Sequence, residues 1–113
     1  MKKLKPSKYK NVKTVIDGVT FASKKEAERY RVLKTMEQSG KITGLELQKR
    51  YQIAPGCTIL GRKRPPRYYV ADFCYFDADG NYIVNDVKGK ITDVYSLKRH
   101  LMKTVHGIDI FES

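Results

Sequence analysis

From residue 14 onward, apolar and polar positions follow a period of two in some stretches and of about 3.6 in others, and the switches between them mark the elements. In Thr14-Val15-Ile16-Asp17-Gly18-Val19-Thr20-Phe21 an Asp-Gly pair sits between β-branched residues, which predicts a small hairpin. Ser23-Lys24-Lys25-Glu26 then has the spacing of a capping box, in which the serine side chain caps a helix and the glutamate three residues on bonds back. The helix should run to about Ser39, with Ala27, Tyr30, Leu33 and Met36 as its apolar stripe and Gly40 as its stop. Glu26 lies on the margin of that stripe, near the core-facing side.

Leu45 to Ile53 alternates as a strand, and Ala54 to Pro66 reads as an exposed, mobile Gly/Pro-punctuated loop holding Arg62, Lys63 and Arg64. Arg67–Phe76 and Asn81–Lys88 are the next two strands, joined by Asp77-Ala78-Asp79-Gly80, which suits a type I turn with Gly80 in the left-handed position. If Asp77 sits opposite Asn81, Asp72 falls directly across from Asp86, with Cβ atoms about 5 Å apart. Residues two apart on a strand point the same way, so Lys88 joins them. Gly89 breaks the strand, and Thr92 or Asp93 caps a second helix with Val94, Leu97, Leu101 and Val105 as its stripe. Gly107 ends it before a last strand, Ile108 to Phe111. Hairpin, helix, three strands, helix and strand predict an α/β (α+β) fold, a mixed central sheet flanked by helices.

At 113 residues, 41% hydrophobic and 31% charged, the chain has the balance of one globular domain. Residues 1–11 read as a flexible basic arm and 12–113 as a single domain. Lys and Arg total 23 against 12 Asp and Glu, a net charge of +11, which points to a polyanionic partner. With Lys2, Lys3, Lys5, Lys8, Lys10 and Lys13 set aside, the remainder still carries +5. No apolar run nears the roughly 20 residues of a membrane span, and MKKLKPSKYK lacks the apolar segment of a secretory signal, so a soluble cytosolic protein is expected. Cys57 and Cys74 form no CxxC pair and have no His at ligand spacing, so reduced thiols rather than zinc are expected.

Two carboxylates facing each other a few ångströms apart disfavour ionisation of both unless something compensates. A hard divalent cation does so, and Mg²⁺ is commonly held by one or two carboxylates, with waters and substrate phosphates completing its shell. On a basic protein the matching substrate is a phosphodiester. The cation would activate water and offset charge on the leaving oxygen, and Lys88 would orient that water or neutralise developing charge on the phosphate.

At these residues the chain resembles the PD-(D/E)XK nuclease superfamily, whose motif pairs an aspartate on one strand with acid-x-lysine on the next. The match is Ala71-Asp72 followed by Asp86-Val87-Lys88. The wider pattern, Ser23 to Tyr30, Leu45 to Gln48, Tyr69 to Phe73 and Asp86 to Gly89, is similar to a group of small phage-encoded proteins placed in that superfamily, once a family of unknown function and akin to Holliday junction resolvases. That likeness runs from about residue 9 to the end. It implies the restriction-endonuclease-like αβββαβ core, Asp72 and Asp86 as metal ligands with the carbonyl of Val87, Lys88 as the catalytic lysine, and Glu26 presented to the metal from the first core helix. It also implies that Gln48 shares the cleft in this subgroup, and Lys98, with Arg99 as a weaker candidate, resembles a phosphate-contacting position. Ala71 stands where the motif has proline, and the second acid is Asp rather than Glu.

Other residues invite simpler readings. Ser-x-x-Glu needs no metal to make sense, Asp77 and Asp79 read as turn residues, and Glu28 should point away toward solvent or Arg31. His100 and His106 form no metal or nuclease set, and strand tyrosines such as Tyr51, Tyr68, Tyr69 and Tyr75 are more often packing residues than base-stacking ones. The combined expectation is a Mg²⁺- or Mn²⁺-dependent DNA endonuclease, phage-encoded and acting in a bacterial host cytoplasm, selective for branched DNA in recombination or replication, with a homodimer if it resolves junctions. Phosphates would be met by Arg62, Lys63, Arg64, Lys98, Arg99, Lys8 and Lys10. No membrane or organic cofactor is implied. The alternatives are a noncatalytic nucleic-acid-binding module on the same fold and a basic adaptor of a replication or packaging complex.

Overall fold

The computed structural model describes residues 12–113. The basic arm, with Lys8 and Lys10, lies outside the described residues. The chain begins with the hairpin β1 (Thr14–Ile16) and β2 (Val19–Phe21), closed by Asp17 and Gly18. Both turn residues have positive φ (52° and 76°), the type I′ geometry that Asp-Gly favours. The Tyr30 hydroxyl donates to Asp17 Oδ2 at 2.8 Å and ties the turn to the first helix.

Helix α1 (Lys24–Gln38) starts where the capping pattern places it, with Ser23 Oγ accepting from the Glu26 N–H at 3.1 Å. Strand β3 (Thr43–Ala54) follows, then a hairpin of β4 (Cys57–Ile59) and β5 (Arg62–Arg64), then β6 (Arg67–Phe76) and β7 (Tyr82–Asp86). Helix α2 (Asp93–His106) is capped by Thr92 and ended by left-handed Gly107, and β8 (Phe111–Glu112) closes the order. The four-stranded sheet runs β3-β6-β7-β8, antiparallel except for the parallel pair β7 and β8, and α1-β3-β6-β7-α2-β8 is the expected αβββαβ sequence of elements in a mixed α/β fold.

Four expectations are corrected. The stretch 54–66 is not a mobile loop, because Cys57 pairs with Arg64, Thr58 with Lys63 and Ile59 with Arg62. The strand expected over 81–88 stops at Asp86, and the last strand is two residues long and begins at Phe111. Of the stripe assigned to α2 only Leu101 packs against the core: Val94 and Leu97 are 64% and 60% exposed and Val105 is exposed, while Tyr95 and Met102, one heptad apart, are buried. Among the described residues no helix is long and apolar enough to cross a membrane.

Two cores lie on opposite sides of the sheet. Phe21, Ala27, Tyr30, Leu33, Ile42, Phe73 and Tyr75 pack under α1, and Ile53, Tyr69, Ala71, Cys74, Val84, Tyr95 and Met102 pack under α2. Burial of a large side chain such as Phe73 or Met102 contributes about 1.5–3 kcal/mol each. Along β6 the alternation slips by one residue at Asp72: Tyr69 and Ala71 belong to the α2 core, whereas Phe73 and Tyr75 belong to the α1 core. The partner strand slips at the same level, with Leu45 and Leu47 against the α1 core and Tyr51 and Ile53 against the other. Between them is Gln48, whose φ of 56° is left-handed. Leu47 pairs with Phe73 and Lys49 with Ala71, so Gln48 and Asp72 stand opposite each other at this double kink.

Candidate metal and phosphate site

The site grows from the turn between β6 and β7. Asp77 N–H donates to the Asn81 carbonyl at 2.9 Å, and the Asp77 carboxylate accepts from the N–H groups of Asp79 and Asn81. These bonds hold that carboxyl below its usual range, as befits a turn residue. With the turn fixed, Phe73 pairs with Asn85, and one further step sets Asp72 against Asp86 as the sequence predicts.

The two carboxyl groups interact directly at the head of an open cleft of about 790 Å³. Burial pushes the Asp72 carboxyl up to about 8, helped by hydrogen bonding to Asp86 and by its charge. The Val87 N–H, which donates to Asp72 Oδ2 at 2.8 Å, opposes that rise. With two carboxyl groups so close in a partly dehydrated site, one shared proton costs less than two bare charges, which raises the affinity of the pair for a proton.

Lys88 lies past the end of β7, yet its Nζ is 2.8 Å from Asp86 Oδ2. The approach is ionic without hydrogen-bond alignment, so Asp86 Oδ2 is a buried oxygen lacking a hydrogen-bond partner among the described residues. The ammonium also sits 3.9 Å from the centre of the Tyr95 ring, and the Lys88 carbonyl accepts from Lys25 Nζ at 2.6 Å. The edge strand clamps this segment: Ser113 N–H donates to the Asp86 carbonyl, and Lys88 N–H donates to the Ser113 carbonyl. Behind it, fully buried Asn85 donates to the Phe111 carbonyl at 2.9 Å and accepts from Arg29 Nε at 2.9 Å.

Glu26 lines the cleft from α1. Its carboxylate accepts from Gln48 Nε2 at 3.4 Å, so the side chain of this capping-box glutamate faces the site. Burial and then the charge of Asp86 raise its pKa, while Lys88 lowers it. Glu28 pairs instead with Arg31 on the solvent side, as expected from its position. Gln48 meets the site through Glu26 and is not among the residues lining the cleft.

Among the described residues no three His, Cys, Asp or Glu side chains are grouped closely enough to hold a metal ion. The carboxylate centre is thus a pair, Asp72 and Asp86, with Glu26 beside it. Two carboxyl groups in contact, one with a buried oxygen that has an ion pair but no hydrogen bond, form a donor set that fits a hard cation.

The cleft walls are basic: Lys24, Lys25, Lys88, Lys90 and Lys98 line it. Lys98, expected from the sequence to contact phosphate, is among these lining residues. Arg99 is turned away, donating to Glu112 Oε2 at 2.9 Å and lining a separate, smaller groove. The same Glu112 oxygen accepts from the Tyr95 hydroxyl at 2.5 Å, a bond that with Arg99 holds Glu112 in its ionised form. Arg62, Lys63 and Arg64 lie on the separate β4–β5 hairpin. Tyr51 and Tyr82 share a hydroxyl bond of 2.6 Å, and His106 binds the Gln52 carbonyl, which are structural roles. Sequence reasoning did not single out Tyr95, Lys25 or Asn85. Only the position of Tyr95, three residues after the Thr92 cap, carries a signal, since its N–H completes that cap.

No curated protein and no solved structure matches the chain. A family model described as protein of unknown function (DUF1064) matches residues 6–108, and the chain belongs to that family.

Proposed function

We propose that the chain is a divalent-metal-dependent endonuclease of the PD-(D/E)XK kind, hydrolysing DNA phosphodiesters. One observation carries this reading: Asp72 and Asp86 meet at the head of a lysine-lined cleft with the Lys88 ammonium 2.8 Å from Asp86. Asp72 and Asp86 would hold the metal, with Glu26 poised beside them. Bound there, the metal would supply activation of water and stabilisation of the leaving oxygen. Lys88, freed from Asp86, would turn its ammonium toward the phosphate as charge develops on it. Lys24, Lys25 and Lys98 would draw the backbone into the cleft, and Tyr95 would hold the Lys88 stem at the correct height through its ring.

The test is incubation of supercoiled plasmid, and of a four-way junction, with Mg²⁺, Mn²⁺ or EDTA, alongside Asp86→Ala and Lys88→Ala. Cleavage that needs the metal and is lost in both variants supports the proposal. Intact DNA under every metal rejects it.

A second reading has its own observation. The Lys88 ammonium pairs with Asp86 at 2.8 Å, and among the described residues no three His, Cys, Asp or Glu side chains cluster. Both facts suit a noncatalytic nucleic-acid-binding module on the same fold, for which binding without cleavage would be the result.

A further inference from the structure

The β4–β5 hairpin contains a residue that folding does not explain. Ile59 pairs with Arg62, leaving Leu60 and Gly61 as a two-residue turn with φ of 50° and 77°. Both values are positive, so this is a type I′ turn, which favours Asn, Asp or Gly at its first position. The same molecule builds its β1–β2 turn with Asp17-Gly18 at φ of 52° and 76°. At the second turn a leucine takes the left-handed position, where a Cβ is strained, and it gains no burial in return: Leu60 is 96% exposed, the most exposed of the large apolar side chains among the described residues. Strain without packing at a hairpin tip points to an external partner.

The surroundings say which partner. Arg62, Lys63 and Arg64 follow directly and are exposed, with no carboxylate paired to them among the described residues. Between Glu46 and Asp72 the chain has six basic residues and no acidic one. Arg62 and Arg64 share a face of the hairpin with half-exposed Ile59, since residues two apart point alike. The base of the hairpin is tight: a Cβ on Gly56 would come within 3.0 Å of the Arg64 carbonyl. The hairpin joins the sheet at Arg67, and Asp72 lies five residues further along β6, about 17 Å away. A single apolar tip is little anchor for a bilayer, but one apolar side chain suffices to part a base step while flanking cations hold phosphates.

We propose that the β4–β5 hairpin is a DNA wedge, with Leu60 inserted between stacked base pairs and Arg62 and Arg64 on the adjoining phosphates. The proposal rests on the reading of the chain as a protein that acts on DNA, and it makes the substrate a duplex that can be unstacked at one base step. The assay uses the full chain in EDTA, so it stands whether or not the protein cuts. A short duplex with 2-aminopurine at a central TA step is titrated with wild type, Leu60→Asn and Leu60→Met. Asparagine suits the turn better than leucine, so Leu60→Asn folds at least as well.

The wedge requires that wild type and Leu60→Met brighten the probe several-fold on binding. Leu60→Asn should bind with the same salt dependence and leave it dark. Arg62→Ala and Arg64→Ala should each weaken binding and reduce the salt slope by about 1. A probe that stays dark with wild type, or brightens equally with Leu60→Asn, overturns the proposal. So does Leu60-dependent binding to phosphatidylserine vesicles with no binding to the duplex.

Discussion

The backbone N–H of Val87 donates to Oδ2 of Asp72 at 2.8 Å, tying the acid of one strand to the segment that follows the acid of the next. Asp72 is thereby oriented by the fold, and its role in the metal site can be separated from its role in stability. Asparagine can still offer Val87 an oxygen while carrying no charge. Asp72→Asn is therefore expected to fold as well as wild type in EDTA and to lose cleavage by about 100-fold or more, the scale of a removed electrostatic element. Denaturation midpoints and plasmid nicking measured together check this; nicking at the wild-type rate would count against Asp72 as a ligand.

The pH response follows from the same group. Its folded pKa, about 8, lies above its ordinary value of 3.8, so the folded state holds the proton more tightly than the unfolded chain. The stability associated with this group is complete below about pH 4 and is lost as pH rises toward 8, with a slope of at most about 1.4 kcal/mol per pH unit. Urea titrations in EDTA from pH 5 to 8 should show a steeper loss in wild type than in Asp72→Asn, which keeps only the contribution of other raised carboxyls such as Glu26. Equal slopes in both would contradict the assignment.

Gln48 carries a strained backbone at the level of Asp72. Left-handed geometry costs an ordinary residue about 1–2 kcal/mol, offset in part for glycine by its larger loss of entropy. Gln48→Gly should therefore leave stability unchanged or slightly raised while weakening cleavage, because the Glu26 contact goes with the side chain. Gln48→Val should destabilise. If Gln48→Gly melts well below wild type, the kink is a packing feature and not a device of the site.

Asn85 fixes the back of the site through Arg29 and the edge strand. Asn85→Ala leaves the Phe111 carbonyl and the Arg29 Nε short of a partner and should cost about 1–3 kcal/mol. The Asp86 to Lys88 segment would loosen with it, so hydrogen exchange should rise at Ser113 and Lys88 together. Protection unchanged at both would show that β8 holds without this asparagine.

How much of this could be read from the sequence depended on whether a local rule fixed the geometry. The Asp77 to Gly80 turn set the register, and the register alone brought Asp72 to Asp86. Ser23 and Thr92 placed the helix starts correctly because caps are local. The face of α2 was only partly legible: Val94, Leu97 and Val105 have the right spacing for a core stripe, but the core is met by Tyr95 and Met102, with Leu101 the one stripe residue packed against it. The second hairpin was missed because its turn is Leu-Gly and its strand is Arg-Lys-Arg, neither of which resembles a strand signal. The slip at Gln48 and Asp72 occurs on two paired strands at once, which no single-strand pattern records.

The central claim is that Asp72 and Asp86 share a cation. Crystals soaked in Mn²⁺ and measured at the manganese absorption edge test it most directly. The account requires an anomalous peak between the two carboxylates, in contact with both and absent from Asp86→Ala. Well-ordered crystals with no peak there, and with Lys88 still against Asp86 at saturating Mn²⁺, would contradict it.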